Sequence, residues 1–414
     1  MCLLRHITRA ALSVSLCVIS FCAVAAEMNI SASFTPSATN PENGAFTNTT
    51  PLSGYCATWP VYCPPGAFGI ALPLELTLKK PIMANDIPRN NPYFGLSNKA
   101  RTLPVVNETT GEIAQVTFRI SGFSARYSPP TPSTTWVGGS FMYPNPPCQY
   151  GGPSVGDNVY YSFIWKVTSA DGACYKISNI DRTEPSRFYN MSIAYELDTP
   201  DPLKMSSGIY KGTASLTVGP GGNIDFGDVY EANDTVLNIN FALTVTHELK
   251  LTPAAGAQTV ALQPCPSGKI CSEDEGKVNW ERWMVSRVTP QLTGRSAFTL
   301  SSSGGFTVFL DCADQIGKEC ALTSDNSGQQ VPMKVTINMP ENVVDMQTGS
   351  TVSGRPLFIG KTANQNEFTA KVYGADKPGS IDFLVRQKDV DTMLSTRPDT
   401  YRGAVSVIFD PNIF

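Results

Sequence analysis

Beyond residue 26 the chain carries one histidine, His247, beside Glu248 in a run that alternates like a strand. Acyl transfer by serine or cysteine needs a nucleophile, a base and a group that orients the base. A single histidine with no such partner predicts a structural or solvated side chain. Carboxylates gather at Glu196, Asp198 and Asp201, at Glu273, Asp274 and Glu275, and at Asp389 and Asp391. Glycoside hydrolysis needs two carboxyls about 5–9 Å apart across a sugar, so a secreted carbohydrate-active enzyme is one reading. Turn and loop charges that aid solubility are the reading favoured here. No G-x-G-x-x-G follows a strand pattern and no phosphate loop occurs. There is no C-x-x-C, and the cysteine spacings do not suit zinc. The expectation is no catalysis, no cofactor and no metal.

The side chains better suited to recognition lie in the first half. Trp59, Tyr62, Trp136, Tyr143 and Tyr150 fall in predicted turns, with Arg126, Arg182 and Arg187 in the same half. Sugar rings stack on aromatic faces, and an arginine fork matches a carboxylate with two hydrogen bonds. Such a mixture suits an acidic glycan, although core packing competes for every aromatic. Arg126, Trp136, Arg182 and Arg187 are the candidate receptor-binding residues.

Cysteines and the amino end set the compartment. Arg5 and Arg9 precede an apolar run over residues 10–22, and Ala23-Val24-Ala25-Ala26 offers small residues for cleavage before Glu27. That pattern predicts a secretory signal over 1–26, shorter than the roughly 20 apolar residues a bilayer needs. Cys2, Cys17 and Cys22 leave with it. Eight cysteines remain, as Cys56/Cys63, Cys148/Cys174, Cys265/Cys271 and Cys312/Cys320. An exported chain with this count is expected to be disulfide-bonded. Four cysteines per half allow three connectivities each, and neighbour pairing is favoured because short loops close easily. A net charge of −4 leaves no basic field for nucleic acid.

These residues must be positioned by strands. With 33 glycines, 32 prolines and 16% charged residues, the composition favours short strands joined by tight turns. Period-two runs occur at 114–120, 159–167, 210–218, 235–245, 306–310 and 333–337. Only 278–288 has helical character. The expected fold class is all-β, with two immunoglobulin-like sandwiches and a boundary at the small-residue stretch 253–256. An internal echo supports two comparable units: GIYKGTASLTV at 208–218 and TYRGAVSVIF at 400–409 share Tyr, a basic residue, Gly and an alternating tail. A Gly-rich turn and a long strand pattern over 235–251 follow the first copy. After the second only Asp410-Pro411-Asn412-Ile413-Phe414 remain. The second unit is expected either to lack its closing strand, leaving an edge that recruits another chain, or to fill the gap with an earlier strand.

At the level of motifs the chain resembles the tip and minor subunits of alpha (class 5) chaperone–usher fimbriae, of the cable-pilus and colonisation-factor type. The C-terminal PDTYRGAVSVIFDP is similar to that family's final Tyr-x-Gly strand. LDTPDPLKMSSGIYKGTASLTV and TVLNINFALTVTHELKLTPAAG resemble the last part of its adhesin domain, and the two nearby cysteine couples of the first half match its layout. The resemblance implies an adhesin domain over 27–252, a linker at 253–256 and an incomplete pilin domain over 257–414. It favours the missing-strand reading, with Tyr401, Gly403, Val405, Val407 and Phe409 as the face bordering the acceptor groove. It also implies a periplasmic pilus chaperone, an outer-membrane usher, a donor strand from the major pilin and a host-cell glycan or surface receptor. The protein would then travel through the periplasm to the tip of a surface pilus, with a non-adhesive adaptor pilin as the alternative role. Gly219-Pro220-Gly221 stands where some of these adhesins carry a basic pair, so a different receptor chemistry is expected. The alternating segment 28–35 could donate a strand to another subunit, but the first strand of the adhesin domain is the favoured assignment.

Overall fold

Period-two patterning gives each strand one apolar face, so sheets must close in pairs over a shared interior. The computed structural model describes residues 25–63, 68–96, 98–361 and 366–411, and it contains two such interiors, one in each half of the chain. Of the expected signal segment, residues 1–24 lie outside the described residues.

The first half is built from β1 (Ala26–Phe34), the short α1 (Tyr55–Thr58), β2 (Arg101–Asn107), β3 (Ile113–Ser128), β4 (Tyr161–Lys166), β5 (Arg187–Asp198), β6 (Gly208–Thr217) and β7 (Val236–Val245), with shorter strands between. Its main sheet runs β5-β3-β2-β6-β7-β1. β3 is forked: its first half pairs with β2 and its second half with β4, while β5 follows its other edge. The fork lets the sheet curl over an aromatic interior, where Phe94 lies 4.5 Å from Phe123 and 5.1 Å from Phe188 between ring centroids. β1 runs parallel to β7 in unbroken register, from Ala26 beside Leu237 to Phe34 beside Val245. Met28, Ile30, Ala32 and Phe34 are buried by it. The alternating amino-terminal segment is therefore a strand of the first sandwich.

The second half comprises β8 (Leu249–Pro253), α2 (Glu273–Ser286), β9 (Gln291–Ser302), β10 (Gly305–Cys312), β11 (Glu319–Ser324), β12 (Gln330–Asn338), β13 (Glu367–Ala370), β14 (Gly374–Val385), α3 (Gln387–Leu394) and β15 (Val405–Pro411). One sheet runs β8-β9-β14-β12-β11, and the facing one runs β13-β10-β15. Between them lie Phe298, Phe306, Val308, Leu310, Ile337 and Phe368. The fold is all-β with two immunoglobulin-like sandwiches.

All four neighbouring cysteine couples are bonded. The Cα separations are 5.6 Å for Cys56–Cys63, 5.2 Å for Cys148–Cys174, 5.6 Å for Cys265–Cys271 and 5.7 Å for Cys312–Cys320. Each lies inside the span a disulfide bridges. Two of these bonds reach into the interiors: Cys174 belongs to the core of the first sandwich and Cys320 to that of the second.

Three local features differ from the sequence expectation. The long pattern over 235–251 is two strands, because Thr246, His247 and Glu248 break the ladder and β8 pairs with β9 of the second sandwich. The change of sheet thus falls before the small-residue stretch at 253–256. The helix expected over 278–288 begins earlier, at Glu273: Ser272 accepts from the Glu275 amide and the Glu275 carboxylate accepts from the Ser272 amide. That reciprocal cap fixes the start of a helix whose first turn has no apolar periodicity to reveal it.

Candidate functional site

The final strand holds the first site. Tyr401 and Arg402 pair with Ser324 and Thr323 of β11, whereas β15 begins only at Val405 and pairs with β10 in the facing sheet. The chain crosses between sheets at Gly403, where a Cβ would stand 2.7 Å from the Ala321 carbonyl oxygen. The echo glycine has the same constraint, since a Cβ on Gly212 would stand 2.4 Å from the Pro104 carbonyl oxygen. Close approach to a neighbouring strand explains glycine at both places. The expected continuous strand over 401–409 is therefore two short strands in different sheets.

Among the described residues β15 has a ladder partner on one side only. Val405, Val407 and Phe409 face the interior, as does Tyr401, yet all four are only half-buried. Phe409 contacts Phe298 and Phe306, with centroids 5.6 and 6.1 Å apart. Among the described residues no strand meets the backbone groups along the other edge of β15, and the apolar side chains beneath them stay half-exposed. Such an edge can accept an extended segment, whose alternate side chains fill the furrow.

The second site lies on the outer face of the first sandwich. Arg126 of β3 stands opposite Tyr189 of β5 and Ser162 of β4, and Arg187 stands opposite Ser128. The two arginines are therefore diagonal cross-strand neighbours on one face. The Arg126 guanidinium lies 5.4 Å from the Trp59 ring centroid and 4.3 Å from that of Tyr160, and Arg187 lies 4.4 Å from Tyr189. Neither forms an ion pair among the described residues. By contrast, Arg89 is clamped by Asp225 and Asp228, and Arg119 by Glu196. The loop closed by Cys56–Cys63 borders this face and exposes Val61 and Tyr62. Just before the loop the Tyr55 phenol is pushed up to about 12, by burial first and then by the neighbouring phenols of Tyr150, Tyr62 and Tyr161.

Trp136 and Arg182 sit elsewhere. Both are buried, and the Arg182 guanidinium stacks 3.8 Å from the Trp136 centroid. It donates to the hydroxyls of Ser178 and Thr135, at 2.8 Å each, and to the Thr135 carbonyl at 3.2 Å. Burial pulls this guanidinium below its usual range. Of the four candidate receptor residues, the structure brings Arg126 and Arg187 together and packs Trp136 and Arg182 inside. Sequence reasoning missed Tyr160 and Tyr189, whose positions opposite or beside Arg126 follow only from strand register.

The remaining candidates have structural partners. Cys174 and Cys320 are enclosed, 1% and 0% exposed, and bonded to Cys148 and Cys312. Neither offers a thiol or a surface to a ligand, so both staple the cores and belong to no binding site. His247 joins the sandwiches: its Nε2 is 2.8 Å from the Met205 carbonyl oxygen and its Nδ1 is 3.2 Å from the Ser303 hydroxyl. The carbonyl can only accept, so Nε2 carries the proton. Burial lowers the pKa of the ring, against the opposing pull of Glu112. Glu248 accepts from Tyr373 at 2.7 Å, and its amide donates to Ser303 at 2.8 Å. Asp201 caps Leu203, Glu273–Glu275 form the first turn of α2, and Asp391 accepts from Thr289.

No protein-family model matches the sequence, and no curated protein matches it. Similar solved structures are a chaperone–tip adhesin complex of CFA/I fimbriae (9% identity, 94% of this chain and 97% of that one, TM-score 0.25) and CfaE, the adhesive subunit of CFA/I fimbria of enterotoxigenic Escherichia coli (8%, 94% and 93%, 0.25). A third is the CsuC–CsuE chaperone–tip adhesion subunit complex from archaic Csu pili of Acinetobacter baumannii (11%, 94% and 99%, TM-score 0.21). At such scores the fold assignment rests on the sheets of this chain.

Proposed function

We propose that this protein is a tip or minor subunit of a chaperone–usher pilus. Its second sandwich accepts the closing strand of another subunit, and its first sandwich adheres to a receptor. The observation that carries this reading is the one-sided pairing of β15 above half-buried Val405, Val407 and Phe409. The Tyr-x-Gly resemblance of the same segment supports it. In this reading a periplasmic chaperone occupies the edge first, an outer-membrane usher passes the subunit outward, and the major pilin's amino-terminal strand replaces the chaperone. β1 is committed to β7 along nine residues, so the chain accepts a strand without giving one, which suits a terminal place. The receptor is a glycan with acidic groups, met by Arg126 and Arg187.

The test joins an alternating apolar strand to the carboxyl end through a short linker. The fused protein is expected to be monomeric without a chaperone, while the unfused chain aggregates or is degraded. Equal yield and equal thermal stability of the two forms, with β15 amides protected in the unfused monomer, would reject the strand-acceptor reading. Glycan-array binding by the fused protein, lost on Arg126→Ala with Arg187→Ala, tests the adhesive half.

A further inference from the structure

A cleft of about 330 Å³ opens beside α2 in the second sandwich, and no residue of β15 lines it. The helix is seated by Gly276, its one buried residue, where a Cβ would lie 2.4 Å from the Gln263 side-chain oxygen. The Cys265–Cys271 bond and a 3.0 Å hydrogen bond from Asn279 to the Pro264 carbonyl hold the same end. Amphipathic helices usually bury their apolar stripe. This one leaves Trp280, Met284 and Val285 exposed.

Trp283 forms one wall of the cleft. Trp280 stacks on it at 4.8 Å, and the guanidiniums of Arg287 and Arg397 lie 5.5 and 5.7 Å from its ring centroid. Arg282 lines the same cleft. The second half contains seven arginines. Four of them, Arg295, Arg355, Arg386 and Arg402, are paired with carboxylates. The three that form no ion pair among the described residues are the three gathered around Trp283. In a chain whose acidic residues outnumber its basic ones, 35 to 31, this concentration of unpaired guanidiniums is a local departure. None of the residues that line the cleft is acidic, and Asp391, outside the lining, accepts from the hydroxyl of the lining Thr289. Gln387 also faces the cleft, and its side chain makes no hydrogen bond among the described residues.

We propose that this cleft binds an acidic saccharide: the Trp283 side chain is the apolar wall it packs against, Arg282 on the cleft wall and Arg397 beside Trp283 hold its carboxylate or sulfate, and Gln387 meets its hydroxyls. Guanidinium forks suit either anion, and the volume is that of a small-ligand site. The proposal is independent of what fills the edge of β15. It gives the second sandwich a binding role besides assembly.

Calorimetric titration of the full mature chain, carrying the fused complementing strand that keeps it monomeric, tests it, in an Arg126→Gln, Arg187→Gln background so that the first sandwich does not contribute. The probes are a heparin tetrasaccharide, an oligogalacturonate tetrasaccharide, neutral maltotetraose and inorganic phosphate. At least one acidic sugar is expected to bind, about tenfold or more tighter than maltotetraose or phosphate, and to weaken as salt rises. The heparin and galacturonate arms separate sulfate from carboxylate recognition. Adding Arg282→Gln and Arg397→Gln, both exposed, is expected to weaken binding about tenfold with the melting temperature unchanged. Gln387→Ala, which removes no charge, should weaken the sugar and leave phosphate alone. The proposal is overturned if neither acidic sugar binds, if phosphate binds as well as the sugars, or if the arginine changes leave affinity intact.

Discussion

The two sandwiches treat the same motif differently. In the first, the Tyr-x-Gly strand β6 lies between β2 and β7, and β7 drives Leu237, Ile239, Phe241, Leu243 and Val245 into the core. In the second, the corresponding tail β15 has β10 on one side, and its inward residues stop at half burial. The difference lies in completion, not in local sequence. Alternation, the close-packed glycine and the inward tyrosine are common to both, so what separates a finished sheet from an open one is whether another strand is present to pair with it.

The largest test of that contrast removes one inward-facing aromatic from each sandwich, Phe241 of β7 and Phe409 of β15. Phe241→Ala should cost about 3–5 kcal/mol in denaturant unfolding of the first sandwich, as for a fully buried aromatic. Phe409→Ala should cost about 1–2 kcal/mol in the unfilled second sandwich, because less area leaves water there. Joining a complementing strand should raise the second figure toward the first; equal costs without it would erase the contrast. A smaller effect separates the tyrosines. The Tyr210 phenol donates to the Glu112 carboxylate at 2.7 Å and is raised to about 12 by burial and by that carboxylate. Tyr210→Phe should therefore cost about 1.5–3 kcal/mol, as for a bond to a charged acceptor, and Tyr401→Phe less than about 1 kcal/mol.

Between the sandwiches, His247 should add a modest pH dependence. Its folded pKa lies below its ordinary 6.5, because burial disfavours the charged ring. Above that ordinary value the ring is neutral whether folded or unfolded, and the cross-tie contributes in full. As pH falls, the unfolded chain takes up the proton first, so stability declines through the lowered folded value. Melting at pH 7.5 and at pH 5 should show the loss, and His247→Gln should flatten it. Smallest for stability are Arg126→Ala and Arg187→Ala, within about 0.5 kcal/mol, since surface cations off a network change little. Their effect belongs in receptor binding.

Much of this contrast was legible in the sequence because it is periodic. The strand patterns over 114–120, 210–218 and 306–310 lie within β3, β6–Val218 and β10, and the echo marked the two comparable strands. Burial of individual side chains was less accessible. Trp136 and Arg126 both stand near turns in sequence, and only the partners across the sheet decide that one is enclosed by Tyr127 and Phe141 while the other faces outward. The break at residues 246–248 escaped notice because alternation continues across it, from Val245 to Leu249, while the hydrogen-bond partners change. α3 was missed for a related reason: eight residues with a single buried side chain, Val390, give too little periodicity to register.

The parallel course of β1 and β7 fixes where the ends of the first sandwich lie. Phe34 and Val245 sit side by side next to the His247 junction, so Ala26 and Leu237 occupy the opposite pole, about 26 Å away at the usual rise per residue. A dye or tether coupled near Ala26 would thus report from the end of β1 remote from the His247 junction.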